Sequence, residues 1–302
     1  MIGAMAKSSS GDISLDSLRQ EIDGIDDQIH DLLIRRAAIA GVVREVKAKS
    51  GASVSFIRPA REAEILRRLA ARHEGPFPTS LITRIWREII SATLTLETNF
   101  SASVFSPDDV EIGLAYMWLA RTYFGIDGTV RTAGTASGVL RAVRDGKAAV
   151  GVLPMPSDDR FSSDEIPWWT TLASGGEGRP MIMARLPWSH SQGDVVAGLE
   201  ALVVAKVVLE PSGDDVSYVA LRFTDSVSRD RIRRGLKAAG LEMVGAVAAN
   251  PRETRGGPDW QLYEIDGFIT EGDERLESFG AAIGDAVGSM VVLGSYARPL
   301  RG

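Results

Sequence analysis

A run of apolar residues near the N-terminus constrains this chain more than anything else in it. Leu15, Leu18, Ile22, Ile25, Ile29, Leu32, Ile39, Val43 and Val46 follow one another at spacings of three and four, with one longer gap after Leu32. That rhythm predicts one long helix with a narrow buried seam. Asp12 or Ser14 caps its start, and it ends near Ser50-Gly51. A helix of more than thirty residues spans about 50 Å at about 1.5 Å per residue. Pro59 then stands in the first turn of a second helix, from about Arg58 to His73. Gly75-Pro76-Phe77-Pro78 is a hard break. Thr79 or Ser80 caps a third helix with Ile82, Ile85, Trp86, Ile89, Ile90 and Leu94 inward. Two shorter helices cannot cover the long one, so a partner chain over the remainder is the simplest physical solution.

The rest of the composition narrows the chemistry. Hydrophobic residues at 44% and charged residues at 25% are those of an ordinary globular chain. Thirty-four Lys and Arg against forty Asp and Glu leave a net charge of −6, which argues against nucleic acid as a partner. There is no Cys, so disulfides, thiolate metal sites and Cys nucleophiles are excluded. His30, His73 and His190 are widely spaced, which argues against a His-based metal site or a Ser-His-Asp triad. No apolar run approaches about 18 residues, so no membrane helix is expected. Residues 1–12 read as a disordered leader without the pattern of a signal peptide, and with the absence of Cys this points to the cytoplasm.

Beyond the helices the texture changes. Residues 103–105, 129–131 and 148–153 read as strands, alternating with helices at 109–124 and 136–145, an α/β unit with some parallel pairing. The stretch 154–179, with Trp168-Trp169 inside it, reads as loop-rich. From 216 the order is strand (216–224), helix (228–239), strand (241–249), turn (251–258), strand (260–270), helix (273–287), strand (290–293). That βαββαβ order is a ferredoxin-like sandwich. The expected layout is therefore multi-domain: an all-α segment at 13–102, an α/β segment at 103–212 and an α+β domain at 213–302.

Polar residues interrupt the first seam. After Leu32 the next seam position holds Arg36. Two readings fit it: an arginine snorkelling at a bend, or a buried cation awaiting an anion. Lys47 lies three turns on, within about 20° of the same face and about 16 Å along the axis. Arg19 points about 100° away, so it does not easily reach the same pocket from its own helix but could from a partner's. On the third helix Trp86, Ile90, Thr93 and Glu97 share a face. Thr93 there is a core or capping residue; Glu97 is either a solvated helix end or a carboxyl that must be paired or protonated. Arg58, Arg61 and Glu62 alone read as a surface salt-bridge set. Several cations, one or two carboxylates and no nucleophile suit a small dianion, and a reaction that needs positioning and charge stabilisation.

Residues 15–98 resemble the all-helical class of chorismate mutases. The motifs that carry the resemblance are Leu18-Arg19-Gln20-Glu21-Ile22-Asp23 with Ile25-Asp26, Leu32-Leu33-Ile34-Arg35-Arg36, Val46-Lys47, Ile57-Arg58-Pro59-Ala60-Arg61-Glu62, and Arg84-Ile85-Trp86-Arg87-Glu88-Ile89-Ile90 running to Glu97. The resemblance implies an intertwined homodimer of three-helix chains that rearranges chorismate to prephenate without cofactor or metal. By it, Arg36 binds one substrate carboxylate and Arg19 of the other subunit binds the second. Lys47 bridges a carboxylate and the ether oxygen, and Glu97 donates to that oxygen. Glu62 holds the ring hydroxyl, Thr93 stands where the family has a small hydroxyl residue, Arg61 adds positive potential, and Arg58 matches the Arg-Pro-x-Arg-Glu form of the motif.

The remainder resembles the second half of bifunctional chorismate mutase–prephenate dehydratases, a dehydratase domain followed by an ACT domain. Ala148-Ala149-Val150-Gly151-Val152-Leu153-Pro154 is similar to a dehydratase strand, and Val292-Leu293-Gly294-Ser295-Tyr296 to the end of the ACT domain. The departures are specific. No Thr-Arg-Phe motif occurs, and Met155-Pro156-Ser157-Asp158 replaces a Glu-Asn-Ser element. The segment around 190–203 leaves no room for a second lobe. Asp225-Ser226-Val227-Ser228 and Ala248-Ala249-Asn250-Pro251 stand where the family's Gly-Ala-Leu and Glu-Ser-Arg-Pro elements belong. The expectation is a chorismate mutase of phenylalanine and tyrosine biosynthesis with a reduced dehydratase-like segment and a degenerate ACT-like domain, without dehydratase activity. The alternatives are a bifunctional mutase–dehydratase and a non-catalytic protein that binds an amino acid.

Overall fold

The computed structural model describes residues 14–49, 56–98, 100–125, 128–156, 167–176, 178–189, 198–248 and 260–300. The expected leader, Asp12, Ser50-Gly51, Ser157-Asp158, His190, residues 249–251 and the turn at 251–258 lie outside them, as do the side chains of Lys47 and Glu97. The chain divides into two compact units, 1–54 and 55–302.

The first unit holds α1 (Leu15–Lys49), a single helix of 35 residues. The long apolar rhythm predicts this element and its C-terminal end. Ser14 is its cap: its Oγ accepts a hydrogen bond from the Ser17 amide at 3.1 Å. The apolar stripe is exposed, with Ile22 and Val46 at 56% and 61% of full accessibility.

The second unit opens with α2 (Pro59–Arg72) and α3 (Thr79–Glu97). Pro59 starts α2 because its missing N–H falls where no helical bond is required. Ala60, Ala63, Leu66 and Leu69 form the buried face of α2. The cap of α3 is Pro78, in extended conformation and without a side-chain bond, rather than Thr79 or Ser80, which lie inside the helix. The inward face of α3 also differs from expectation. Thr83, Arg87, Ile90, Ser91 and Leu94 are buried, whereas Ile85 is exposed. The helix turns this partly polar row toward α4 (Val110–Phe124) because the α/β part needs a helix over it.

Then follow β1 (Ser101–Phe105), α4, β2 (Thr129–Ala133), α5 (Ala136–Arg144), β3 (Val150–Pro154), α6 (Trp168–Ser174), β4 (Met181–Leu186) and β5 (Ala201–Ala205). Asp109 caps α4 by accepting from the amides of Glu111 and Ile112. β1 pairs in parallel with both β2 and β3, as the alternation of strand and helix predicts. β3 and β5 are buried along their whole length, which explains their continuous apolar sequences. Three elements are additions to the sequence reading. Trp168 and Trp169 are both buried and turn part of the loop-rich stretch into α6, while β4 and β5 extend the sheet.

The last third is β6 (Asp215–Phe223), α7 (Arg229–Ala238), β7 (Met243–Ala248), β8 (Trp260–Asp266), α8 (Glu274–Ile283) and β9 (Val287–Ala297). This is the expected βαββαβ order, paired antiparallel as β9-β6-β8-β7. Ile232 and Leu236 of α7 and Phe279 and Ile283 of α8 share a core over one face of it. Each such side chain contributes about 1.5–3 kcal/mol when fully buried.

Both parts share one nine-stranded mixed sheet, β2-β1-β3-β5-β4-β9-β6-β8-β7. They join where β4 runs parallel to β9, at Ile182 with Gly294, and again just beyond the strands at the parallel bridge of Ser189 with Leu300. Gly294 has φ +138°, and a Cβ there would lie 2.2 Å from the Ile182 carbonyl oxygen. Only glycine fits this contact. The chain is thus a helical segment followed by an α/β region and a ferredoxin-like α+β region. The boundary expected at 102/103 falls inside β1, whose first two residues, Ser101 and Ala102, already pair with β2, whereas the one expected at 212/213 falls between β5 and β6.

Candidate active site

Helix α2 carries Arg61 and Glu62, with Arg58 immediately before it. The spacing predicts one surface cluster. The structure instead sends each to a different partner. Arg58 Nη2 donates to Glu210 Oε2 at 2.9 Å, and Arg61 Nη1 to Glu64 Oε2 at 2.9 Å. Both pairs are half in water and contribute at most about 1 kcal/mol each. Glu62 turns inward, and its Oε2 accepts from Arg87 Nη1 at 2.6 Å. The Arg87 and Glu62 side chains are only 5% and 13% exposed.

Arg87 is clamped by its surroundings on all three of its nitrogens. Its Nε and Nη2 donate to the Tyr123 carbonyl at 3.0 and 2.7 Å. Its guanidinium lies 3.6 Å from the centre of the Tyr123 ring, a cation–π contact. Burial pulls the Arg87 pKa down, but Tyr123 and Glu62 beside it more than reverse this, so the net direction is up. The cation is therefore permanent. Burial pushes the Tyr123 hydroxyl up to about 12 against the lowering effect of Arg87, so the phenol stays protonated at neutral pH. This cluster ties α2 and α3 to the end of α4.

Sequence reasoning missed Arg87. Its signal is present: Thr83, Arg87 and Ser91 stand four residues apart on one face. A polar row on a helix reads as solvated until the element covering it is known.

The remaining candidates are distributed as follows. Thr93 is partly buried on α3, and its Oγ1 donates to the Ile89 carbonyl at 2.8 Å. Glu97 is the last residue of α3. Arg19, Arg36 and Lys47 all stand on α1, in the other compact unit. Arg36 is partly buried, and Arg19 pairs with Asp16 at 3.1 Å in the open. Among the described residues no group of three or more His, Asp or Glu is placed to hold a metal ion. No described helix is long and apolar enough to cross a membrane.

Residues 18–98 match the family "Chorismate mutase type II". This segment is a chorismate mutase domain of that family. The match spans α1, α2 and α3. The chain is also similar to the bifunctional chorismate mutase/prephenate dehydratase of Aquifex aeolicus, 32% identical over 145 residues, which is 47% of this chain and 38% of the relative. The enzyme of the same name from Stutzerimonas stutzeri is 31% identical over 144 residues, again 47% and 38%. The chain therefore spans well under half the length of the curated relatives it matches. These alignments are longer than the mutase segment, and only 17 residues precede it, so the similarity runs on past α3. Among solved structures, the chain is similar to a prephenate dehydratase from Arthrobacter aurescens in complex with L-Phe, with 14% identity, 66% of this chain and 90% of that one covered, and a TM-score of 0.45. It is also similar to the prephenate dehydratase of Staphylococcus aureus, with 11% identity, 65% and 100% covered, and a TM-score of 0.47.

Proposed function

We propose that this protein is a chorismate mutase, converting chorismate to prephenate in the biosynthesis of phenylalanine and tyrosine. The observation that carries this reading is the chorismate mutase type II domain at 18–98, in which the cations and carboxylates of the reaction stand in order: Arg19, Arg36, Lys47, Arg58, Arg61, Glu62, Thr93 and Glu97. The Claisen rearrangement breaks a C–O bond and forms a C–C bond within one molecule. It moves no proton, so it needs no nucleophile and no general base. It needs the substrate's two carboxylates held apart and the developing negative charge on the ether oxygen met by donors.

Arg36 takes one carboxylate. Arg19 from a second copy takes the other. Lys47 and Glu97 address the ether oxygen, and Glu62 accepts from the ring hydroxyl. Arg58, Arg61 and Thr93 complete the binding surface. Holding the reactive conformer supplies up to about 7–11 kcal/mol in favourable cases, and each oriented donor to a growing oxyanion about 2.7–4 kcal/mol. The exposed apolar stripe of α1 supports a homodimer through the helical segment, since a stripe of that length is stable only when covered. We place the protein in the cytoplasm and read 103–212 as a reduced dehydratase-like segment and 213–302 as an ACT-like domain. The missing Thr-Arg-Phe motif supports the loss of dehydratase activity.

A second reading, a bifunctional mutase–dehydratase, is favoured by alignments that run past the mutase segment. One experiment decides between them. Purified protein is given chorismate, then prephenate, and both prephenate and phenylpyruvate are followed. Prephenate without phenylpyruvate supports the first reading; phenylpyruvate from prephenate supports the second; no turnover of chorismate removes both.

A further inference from the structure

A cavity of about 400 Å³ lies between the first turns of α3, the middle of α4 and residues 186–189 after β4. Small-molecule sites run from about 300 to about 1,000 Å³, and they gather where distinct parts of a fold meet. Both conditions hold here. Helix α3 and the α/β region face one another across this space, well before Thr93 and Glu97 along α3.

Two tryptophans and two leucines supply much of the apolar wall. Trp118 and Leu119 come from α4, and Leu186 and Trp188 from the end of β4. Trp188 is buried, and the Arg67 guanidinium lies 5.9 Å from its ring centre. Trp118 is different: it is 49% exposed, although its neighbour Leu119 is packed into the core. A tryptophan left half in water at the rim of an apolar cavity is surface that a ligand ring can cover.

Two arginines line the same space, and they are not equivalent. Arg87 has spent its fork on Glu62 and the Tyr123 carbonyl. Arg84, one turn earlier, is exposed and has no hydrogen bond or ion pair to any described residue. A single open guanidinium beside an aromatic wall selects one carboxylate on a ring-bearing body. The other polar side chains of the lining, Ser80, Thr83, Thr122 and Ser189, are uncharged hydroxyls, so a second carboxylate would find no second open cation.

We infer that this cavity is a binding site for an aromatic monocarboxylate, with the carboxylate on the Arg84 fork and the ring against Trp118 and Trp188. The site uses none of the residues assigned to chorismate, so it stands or falls independently of the mutase reading.

Calorimetry on the full-length protein tests it with three probes. 3-Phenylpropionate carries both ring and charge, 3-phenylpropanamide the ring alone, and hexanoate the charge alone. 3-Phenylpropionate is expected to bind at least about tenfold more tightly than either of the others. Arg84→Gln and Trp118→Ala replace exposed side chains, and each is expected to weaken that binding by about tenfold or more while leaving the circular dichroism and melting temperature unchanged. Three results overturn the proposal. One is no heat from 3-phenylpropionate. Another is equal binding of the amide. The third is unchanged affinity in both folded variants. If no probe binds and Trp118→Ala abolishes a concentration-dependent self-association, the face belongs to a second copy of the chain and the ligand site is likewise overturned.

Discussion

Glu62 and Arg87 meet across two helices at 2.6 Å, both nearly sealed from water, with the arginine also clamped on the Tyr123 carbonyl. The residue that the mutase reading assigns to the substrate's ring hydroxyl thus has its carboxylate oriented by Arg87. A buried pair of this kind is weak evidence for net stability, but breaking it is costly because a charge is stranded. Arg87→Ala is expected to cost about 3–5 kcal/mol, read from urea unfolding. Arg87→Met combined with Glu62→Leu is expected to recover much of that loss, since neither charge remains. A single mutant within about 0.5 kcal/mol of wild type would show that the pair is not buried in solution.

Alkaline pH gives a second measurement. The Tyr123 hydroxyl is pushed up to about 12 by burial, and Tyr296 likewise, from the ordinary value of 10.0. A group whose folded pKa is raised contributes stability that is complete below its unfolded pKa and is lost as pH rises through the folded one. Stability is therefore expected to fall between pH 10.0 and about 12. Tyr123→Phe should make this decline shallower, by an amount on the order of 2 kcal/mol across the window. Unfolding curves taken alongside tyrosinate absorbance read both quantities. An identical slope in the variant would remove Tyr123 from the account.

The junction of the sheet rests on Gly294. Both its φ of +138° and the 2.2 Å approach of a Cβ to the Ile182 carbonyl forbid a side chain. Gly294→Ala is expected to cost more than about 3 kcal/mol, from strain plus a lost strand contact. Gly146 is the control: its φ is +71°, but nothing lies within 4 Å of a Cβ there. Gly146→Ala should cost only the backbone term, about 1–2 kcal/mol. Equal melting temperatures for the two variants would contradict the close contact at the junction.

A shared active site has its own signature. Arg19→Ala and Arg36→Ala are each expected to be inactive. Unfolded and refolded together, they should regain part of the wild-type rate, because a mixed dimer contains one site with both arginines intact. A verified heterodimer that remains inactive would place both arginines in the same subunit's site.

In the proposed mutase reading Glu97 donates to the ether oxygen, which an ionised carboxylate cannot do. Glu97→Gln is therefore expected to sustain kcat/KM toward neutral pH, where wild type declines. Glu97→Ala should lose roughly 10²–10³-fold, as removal of an oxyanion donor does. Matching pH profiles for wild type and Glu97→Gln would take the residue away from the oxygen.

Local chemistry made much of this protein legible. The three-and-four rhythm from Leu15 to Val46 requires a helix whatever surrounds it, Pro59 marks the start of α2, and the order of elements from β6 to β9 implies its own sheet. These features arise within a few residues of one another, where backbone geometry and periodicity decide. The match to the family at 18–98 was readable for the same reason: the kind and spacing of its motif residues are written along the chain. Partners were not. Arg58, Arg61 and Glu62 look alike as an exposed set, yet they turn to Glu210, Glu64 and Arg87. Trp168-Trp169 sits in a stretch rich in loop residues, and only burial makes it a helix. The β4–β9 contact depends on two residues more than a hundred positions apart. Such choices follow from which surfaces exclude water once distant segments pack, a free energy that no local window of sequence contains.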